Sequence, residues 1–339
     1  MSPLNRKVVL ASRPTGRPDD SNFALLQEPA APLEDGQVLV AVDLLGIDAF
    51  IRTTLDEGSF HRGARLGGVI PALGVGEVID SRSTTIRVGD KVFGPLGSQT
   101  HAVMPAVALR KLDTDIAPAN AWLGALGLTT GLTAYFGIVD VGRVKKGNTV
   151  VVSGAAGAVG SVAGQIARLS GADKVIGIAG GSHKTGFLVE ELGFDAAIDY
   201  RHENVGARLD ELAPNGIDVF FDNVGGEILD DVLMRIVEGS RIVICGAISQ
   251  YENMDEVRGP RNYLKLAERH ATMEGFAVFH FAAHYARAEN QLAEWYRNGD
   301  IVMREHIEHG VENFPAVMNM LMTGGHHGKL LLKVSSETV

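Results

Sequence analysis

Residues Val150-Val151-Val152-Ser153-Gly154-Ala155-Ala156-Gly157-Ala158-Val159-Gly160 decide how the rest of the chain is read. The three valines make the continuous apolar run of a strand covered on both faces, as in a parallel sheet. Beyond Gly160, Val162, Ile166 and Leu169 recur at helical spacing, so the glycines stand on a strand-to-helix turn. Small residues at Gly154, Gly157 and Gly160 let the backbone turn sharply, approach a pyrophosphate and pack helix against strand. The helix N-terminus then offers unpaired N–H groups to the phosphates. A Gly-rich triplet alone is often only a tight turn; the flanking strand and helix make it a dinucleotide signal.

About 20 residues further on, an acid would clamp a free ribose 2'-hydroxyl. There the strand expected over 174–178 runs into Ala179-Gly180-Gly181-Ser182-His183-Lys184, with no Asp or Glu. A carboxylate at that point repels a 2'-phosphate, whereas the Lys184 charge, the Ser182 hydroxyl and the glycine N–H groups suit one. Taken alone, Lys184 fits a solvated residue at a helix start equally well, lysines being mostly exposed. The missing acid turns the reading to NADP(H).

At 339 residues the chain exceeds the size at which one core keeps growing, so two domains are expected. No apolar stretch approaches the ~20 residues of a membrane span, and Met1-Ser2-Pro3-Leu4-Asn5-Arg6-Lys7 has no signal-peptide h-region. The expectation is a cytoplasmic protein without a membrane partner. A formal charge of -10 disfavours nucleic acid and anionic membranes. The single cysteine, Cys245, excludes an internal disulfide and any zinc site made of several cysteines. At the end of an apolar strand it reads as a small packed residue rather than a nucleophile.

Texture changes along the chain. Up to about residue 120, short extended patterns at 37–43, 76–80 and 90–93 alternate with Gly, Pro and Asp turn clusters, which points to a compact β-rich domain. From Trp122 to Asn298 strands and helices alternate. Strands are expected at 149–153, 174–178, 196–199, 218–221, 241–245 and 272–278, and the clearest helical pattern is Ile228, Leu229, Val232, Leu233 and Ile236. Six strands with helices between them make a doubly wound parallel sheet, so the fold class is α/β. Beyond Gly299 the sequence predicts a strand at 301–307, a helix opened by Asn313-Phe314-Pro315 and a last strand at 330–334.

Several segments carry a family resemblance across nearly the whole length. They are Asn5-Arg6-Lys7-Val8-Val9-Leu10-Ala11-Ser12-Arg13-Pro14, Gly131-Leu132-Thr133-Ala134-Tyr135-Phe136-Gly137, the Gly-rich turn, Phe221-Asp222-Asn223-Val224-Gly225-Gly226, and Cys245-Gly246-Ala247-Ile248-Ser249-Gln250-Tyr251. In these the chain resembles the zinc-independent medium-chain dehydrogenase/reductases, in the branch of leukotriene B4 dehydrogenase/prostaglandin reductase, alkenal double-bond reductases and curcumin reductase. The last two segments are the most specific to that branch. The resemblance implies a GroES-like substrate domain from 1–121 and 299–339, a Rossmann NADP(H) domain over 122–298, and NADPH-dependent reduction of a carbon–carbon double bond conjugated to a carbonyl.

By matching positions, Gly157, Ala158, Val159 and Gly160 would hold the pyrophosphate, and Lys184 with Tyr200 the 2'-phosphate end. Asn223, Cys245, Gly246, Ala247, Ile248, Ser249, Gln250, Tyr251, Phe276, Ala277 and Val278 would line the ribose and nicotinamide. The cofactor supplies hydride; addition to the β-carbon drives charge onto the carbonyl oxygen, where a hydrogen-bond donor lowers the barrier. Tyr251 is the candidate donor, and it also fits a residue that only contacts cofactor, since an unaided tyrosine with a pKa of about 10 is a slow proton source. Solvent or the cofactor ribose remain as proton sources for the α-carbon.

Departures from the family pattern stand beside the matches. Relatives usually read Asp-Pro-Tyr-Met-Arg where this chain has Asp48-Ala49-Phe50-Ile51-Arg52, so Phe50 would make that substrate wall apolar. His326 stands where relatives carry a cofactor-contacting Asn, and Gly67-Gly68-Val69-Ile70-Pro71-Ala72-Leu73 matches poorly. Gly46-Ile47-Asp48 occupies the place of the catalytic cysteine of zinc-dependent relatives, and His61 and His101 are isolated, so no metal is expected. Three readings stay open: an enone or enal reductase, a quinone reductase on the same fold, and a non-catalytic NADPH-binding protein. A homodimer through the sheet edge near 241–251 and 273–278 is implied by the resemblance.

Overall fold

The computed structural model of the chain describes residues 2–57, 61 and 63–335. Two compact units are formed, one from Gly124–Arg304 and one from Met1–Leu123 with Glu305–Val339.

In the first unit six parallel strands lie in the order Ala196–Asp199, Lys174–Ala179, Thr149–Ser153, Ile217–Asp222, Ile236–Ile244, Thr272–Gly275. Numbered along the chain this is 3-2-1-4-5-6, the doubly wound arrangement, with the switch point between Thr149–Ser153 and Ile217–Asp222. Val150, Val151 and Val152 are all fully buried. Because successive strand residues face opposite sides, that requires a covered sheet on both faces. The helices Ala158–Leu169, Ser182–Glu190, Val205–Leu212 and Gly226–Leu233 follow the first four strands in turn.

Three expected boundaries move here. The helix after Gly225 stops at Leu233, and Ile236 begins a strand, paired with Ile217 and buried in the same core as Leu229, Val232 and Leu233. That strand ends at Ile244, so Cys245 lies just past it. The strand expected over 272–278 ends at Gly275, and Val278–His284 is a short 3-10 segment.

The second unit holds a seven-stranded, mostly antiparallel sheet and a separate antiparallel pair, Leu4–Leu10 with Phe23–Pro29. Gln37–Gly46 is its centre, pairing with Gly74–Ser81, His101–Pro105 and Lys329–Lys333. Leu331 faces Gly46 across that last pair, and Phe314, Val317, Met318 and Leu321 of the helix Phe314–Thr323 pack into a core with Val38, Val40 and Leu45. The outer strand expected from residue 301 begins only at Glu305. Residues before it are held elsewhere: Val302 N–H donates to Gln165 Oε1 at 2.8 Å, Gln165 Nε2 donates to Val302 O at 2.9 Å, and Arg304 pairs with Glu191 at 2.5 Å.

Candidate functional site

At the turn that opens the sequence reading, Gly154 takes φ +57° and Gly157 caps the helix Ala158–Leu169. A Cβ on Gly160 would lie 2.4 Å from Gly154 O and 2.8 Å from Ala155 Cα, both rigid backbone, so only glycine fits. Gly157 N–H donates to Gly154 O at 3.0 Å and the first helical bond runs from Ser161 N–H to Gly157 O at 3.0 Å, so the N–H groups of Ala158, Val159 and Gly160 are the ones left for a ligand. No acidic side chain occupies that first turn. This is a cradle sized for phosphate oxygens next to backbone, which is what a dinucleotide pyrophosphate requires.

Across the switch point stands Asp222, buried at the end of its strand. Ser153 Oγ donates to its Oδ1 at 2.7 Å, and Val224 and Gly225 N–H donate to the same carboxylate at 3.0 Å. Burial raises the carboxyl above its ordinary pKa, against these donors, which pull it down. Asn223 is fixed by the same cluster: its N–H donates to Ser153 Oγ at 2.8 Å and its Nδ2 to Ser153 O at 2.7 Å, which leaves Oδ1 as the group it offers outward. The following loop is tied to this one, with Cys245 N–H and Gly246 N–H on Asp222 O at 2.9 and 3.1 Å, and Ile248 N–H on Asn223 O at 3.1 Å. Ser249 Oγ also donates to Val224 O at 2.6 Å.

Tyr251 folds back over its own loop. Its hydroxyl oxygen accepts from Ala247 N–H at 3.2 Å, so its proton remains available for donation. Burial raises the phenol pKa, the Ala247 contact opposes this, and the neighbouring Cys245 and Asp222 add to the rise. Cys245 is half-buried, and its thiol is pushed up to about 12 by burial and then by Asp222. Phe276, Ala277 and Val278 leave the adjacent strand, where Gly275 pairs with Ile244, so they emerge beside Cys245. The Phe276 ring packs edge-on to Phe281 at 6.1 Å, and Ala277 N–H donates to His280 Nδ1 at 3.2 Å.

Beyond the end of the strand Lys174–Ala179, Gly181 takes φ +97° and Ser182–Glu190 begins a helix with Lys184 half-buried in its first turn. Tyr200 is 48% exposed just beyond the strand Ala196–Asp199. Burial lowers the Lys184 pKa, and so does a second cation, Arg201. Sequence reasoning missed Arg201, Asp199, Ser153 and Asp222. The basic residue directly after Tyr200 was the one visible signal.

The remaining expected site residues belong to the other unit. Phe50 opens the short helix Phe50–Thr54, its ring tilted against His61 at 5.5 Å. Thr53 Oγ1 donates to Phe50 O at 2.8 Å and lies 2.7 Å from His61 Nδ1. Burial lowers the His61 pKa. His326 is buried at 7% exposure. His101, expected in a loop, opens the strand His101–Pro105, and the poorly matching segment near Val69 bridges to Val9.

The N-terminal domain model of oxidoreductases matches residues 6–112, and the zinc-binding dehydrogenase model matches residues 158–294. A putative NADP-dependent oxidoreductase of Bacillus subtilis, YfmJ, is 41% identical over 100% of both chains. The NADPH-dependent curcumin reductase of Escherichia coli is 35% identical over 98% of each. Among solved structures, CurA from Vibrio vulnificus in complex with NADPH aligns with a TM-score of 0.92 at 34% identity, covering 98% of this chain and 99% of that one. The chain belongs to the zinc-independent medium-chain dehydrogenase/reductases. Within that family it falls in the branch of curcumin, 2-alkenal and prostaglandin reductases. The residues do not suit the zinc of other medium-chain dehydrogenases. Asp48 accepts from Lys329 Nζ at 2.5 Å, and Lys329 is fully buried, so a fixed ammonium already sits on the carboxylate that a cation would need. Among the described residues no three His, Cys, Asp or Glu side chains come together as a metal site.

Proposed function

We propose that this medium-chain reductase uses NADPH to reduce the C=C bond of α,β-unsaturated ketones or aldehydes. The observation that carries the reading is the Tyr251 hydroxyl, a neutral donor anchored on Ala247 N–H at 3.2 Å in the loop that follows the fifth strand. NADPH, when bound, supplies the hydride. The chain's own residues hold the cofactor, exclude water and stabilise charge. Gly157, Ala158, Val159 and Gly160 receive the pyrophosphate, with the N–H groups of Ala158, Val159 and Gly160 as donors and Gly157 allowing the close approach. Lys184 and Tyr200 take the 2'-phosphate end, and Asn223 Oδ1, the residues from Cys245 to Tyr251, and Phe276, Ala277 and Val278 take the ribose and nicotinamide. His326 is assigned to cofactor and Phe50 to substrate.

Hydride addition at the β-carbon leaves an enolate oxygen, and a donor aimed there stabilises the charge that develops in the transition state. With its pKa raised, Tyr251 keeps its proton through this step and works as a hydrogen-bond donor; water delivers the α-carbon proton. The single cysteine near it stays protonated, which keeps a thiolate nucleophile away from an electrophilic alkene.

Support for a homodimer comes from Thr272–Gly275, which pairs on one side only, and from Phe279, Tyr263 and Leu264 nearby in sequence, 60%, 57% and 67% exposed. An open strand edge beside apolar side chains favours a second copy. We place the enzyme in the cytoplasm, consistent with one cysteine and with no described helix long and apolar enough to cross a membrane. The deciding experiment is an NADPH-oxidation screen over enals, alkyl and aryl enones, and quinones. Turnover of enones or enals supports the reading, turnover of quinones alone replaces it with a quinone reductase, and binding of NADPH without turnover of any acceptor leaves a binding protein.

A further inference from the structure

Two loops meet at the adenosine end of the crevice, and one carboxylate joins them. Asp199 accepts from Gly181 N–H at 2.7 Å on the first loop and from Arg201 N–H at 3.1 Å on the second, and His202 Nδ1 lies 2.8 Å from its other oxygen. Its own N–H donates to Glu203 Oε2 at 2.7 Å. The three donors hold this carboxyl below the usual carboxylate range, the Gly181 N–H first among them. They also absorb its charge, so an acid stands close to the expected 2'-phosphate position with its lone pairs already engaged. It sits at the end of the strand next to the one on which an NAD-selecting acid would be found.

The consequence is the placing of Arg201. A Cβ built on Gly180 would lie 2.8 Å from Arg201 Nε and 2.9 Å from the Tyr200 ring, so both side chains lie directly over that glycine. Arg201 is also near enough to Lys184 to lower its pKa. Two cations brought together by the fold repel one another, and a dianionic ligand between them relieves that repulsion. A guanidinium adds a planar, bidentate match to phosphate that an ammonium lacks.

We propose that Arg201 is a second 2'-phosphate ligand, acting with Lys184, and that Asp199 is the positioning residue that holds the Gly180-Gly181 turn and Arg201 in register. This rests on the cofactor reading above and assigns it two residues.

The test is calorimetric measurement of Kd for NADPH, NADH and the probe pair 2'-AMP and 5'-AMP on the intact protein. Arg201→Ala is expected to weaken NADPH and 2'-AMP by roughly ten- to a hundredfold, the range of a charged hydrogen bond, with NADH and 5'-AMP little changed. Arg201→Lys should recover part of the loss. Gly180→Ala should displace Arg201 and Tyr200 and lower NADPH affinity in the same selective way. Asp199→Asn separates positioning from charge: a positioning role weakens NADPH relative to NADH, whereas a carboxylate acting only as a negative charge gives tighter NADPH binding when removed. If Lys184→Ala costs NADPH selectivity and Arg201→Ala does not, the Arg201 assignment is overturned and the cofactor reading survives. If the unaltered protein binds NADPH and NADH equally, both fall together.

Discussion

Tyr251→Phe tests the chemistry most directly because it removes one atom whose contacts are known. That oxygen accepts a single hydrogen bond, from Ala247 N–H at 3.2 Å, so the cost to stability is about 1 kcal/mol. This corresponds to a few degrees at most in Tm for a protein of this size. Removing a donor from a developing oxyanion costs about 10²- to 10³-fold in turnover; one donor that also serves its own loop belongs at the lower end, about 10²-fold, or roughly 2.7 kcal/mol of barrier. Steady-state NADPH oxidation with a small enone, separating kcat from KM, together with NADPH binding by fluorescence, reads both quantities. The expected result is a fall in kcat with the NADPH Kd nearly unchanged.

The pH profile adds a second check. Because the folded-state pKa of Tyr251 lies above its unfolded value, the neutral donor persists through neutral and mildly alkaline pH. Any stability this group contributes is fully present below about pH 10 and is lost as pH rises through the folded pKa. A kcat that is unchanged in Tyr251→Phe, or an alkaline limb near neutral pH that vanishes in that variant, would refute the donor role.

Other outcomes are as specific. Gly160→Ala should abolish measurable cofactor binding, since the new Cβ meets backbone at 2.4 Å; native-like NADPH affinity in a folded variant would show that the turn yields. Lys329→Met removes the buried ammonium that donates to Asp48 and should destabilise the protein by about 3–5 kcal/mol; a denaturation midpoint equal to that of the unaltered chain would contradict this. Cys245, with its thiol pushed up to about 12, should react with iodoacetamide at neutral pH only after urea unfolding. Fast stoichiometric labelling of the folded protein would mean the thiol is open.

Local features were the legible ones. The strand, turn and helix around Gly154 could be read because their periodicities change over adjacent residues, and the lack of acid after Lys174–Ala179 could be read because that site is defined by one short segment. Ser153 was hidden inside an apolar run, and its worth comes from Asp222 and Asn223, about seventy positions away. Asp199 was hidden for the opposite reason: an acid on the neighbouring strand looks unfavourable to a phosphate until its three donors are known. Ile236 fits a helical stripe and a buried strand equally well, and pairing with Ile217 decides between them. The sequence places the strand at Glu305 four residues early because Ile301 is apolar, and Ile301 is indeed buried, yet the next residue, Val302, is bonded to Gln165 of the helix Ala158–Leu169 rather than to a strand.

The union of Lys329–Lys333 with Gln37–Gly46 also sets an order of events during synthesis. Leu331 leaves the ribosome 285 residues after Gly46, its partner (331 less 46), which at about 5–20 residues per second is a delay of roughly 15 to 60 s. Over the last 27 residues of that interval (331 less 304), roughly 1 to 5 s, the Gly124–Arg304 unit is complete and free to fold, while Gln37–Gly46 still waits with one end of its hydrogen-bonding edge bare. The nascent chain therefore passes through a stage in which its nucleotide-binding half is finished and its other half is a strand edge open to misassociation. A stop codon between Arg304 and Lys329 would make that stage permanent.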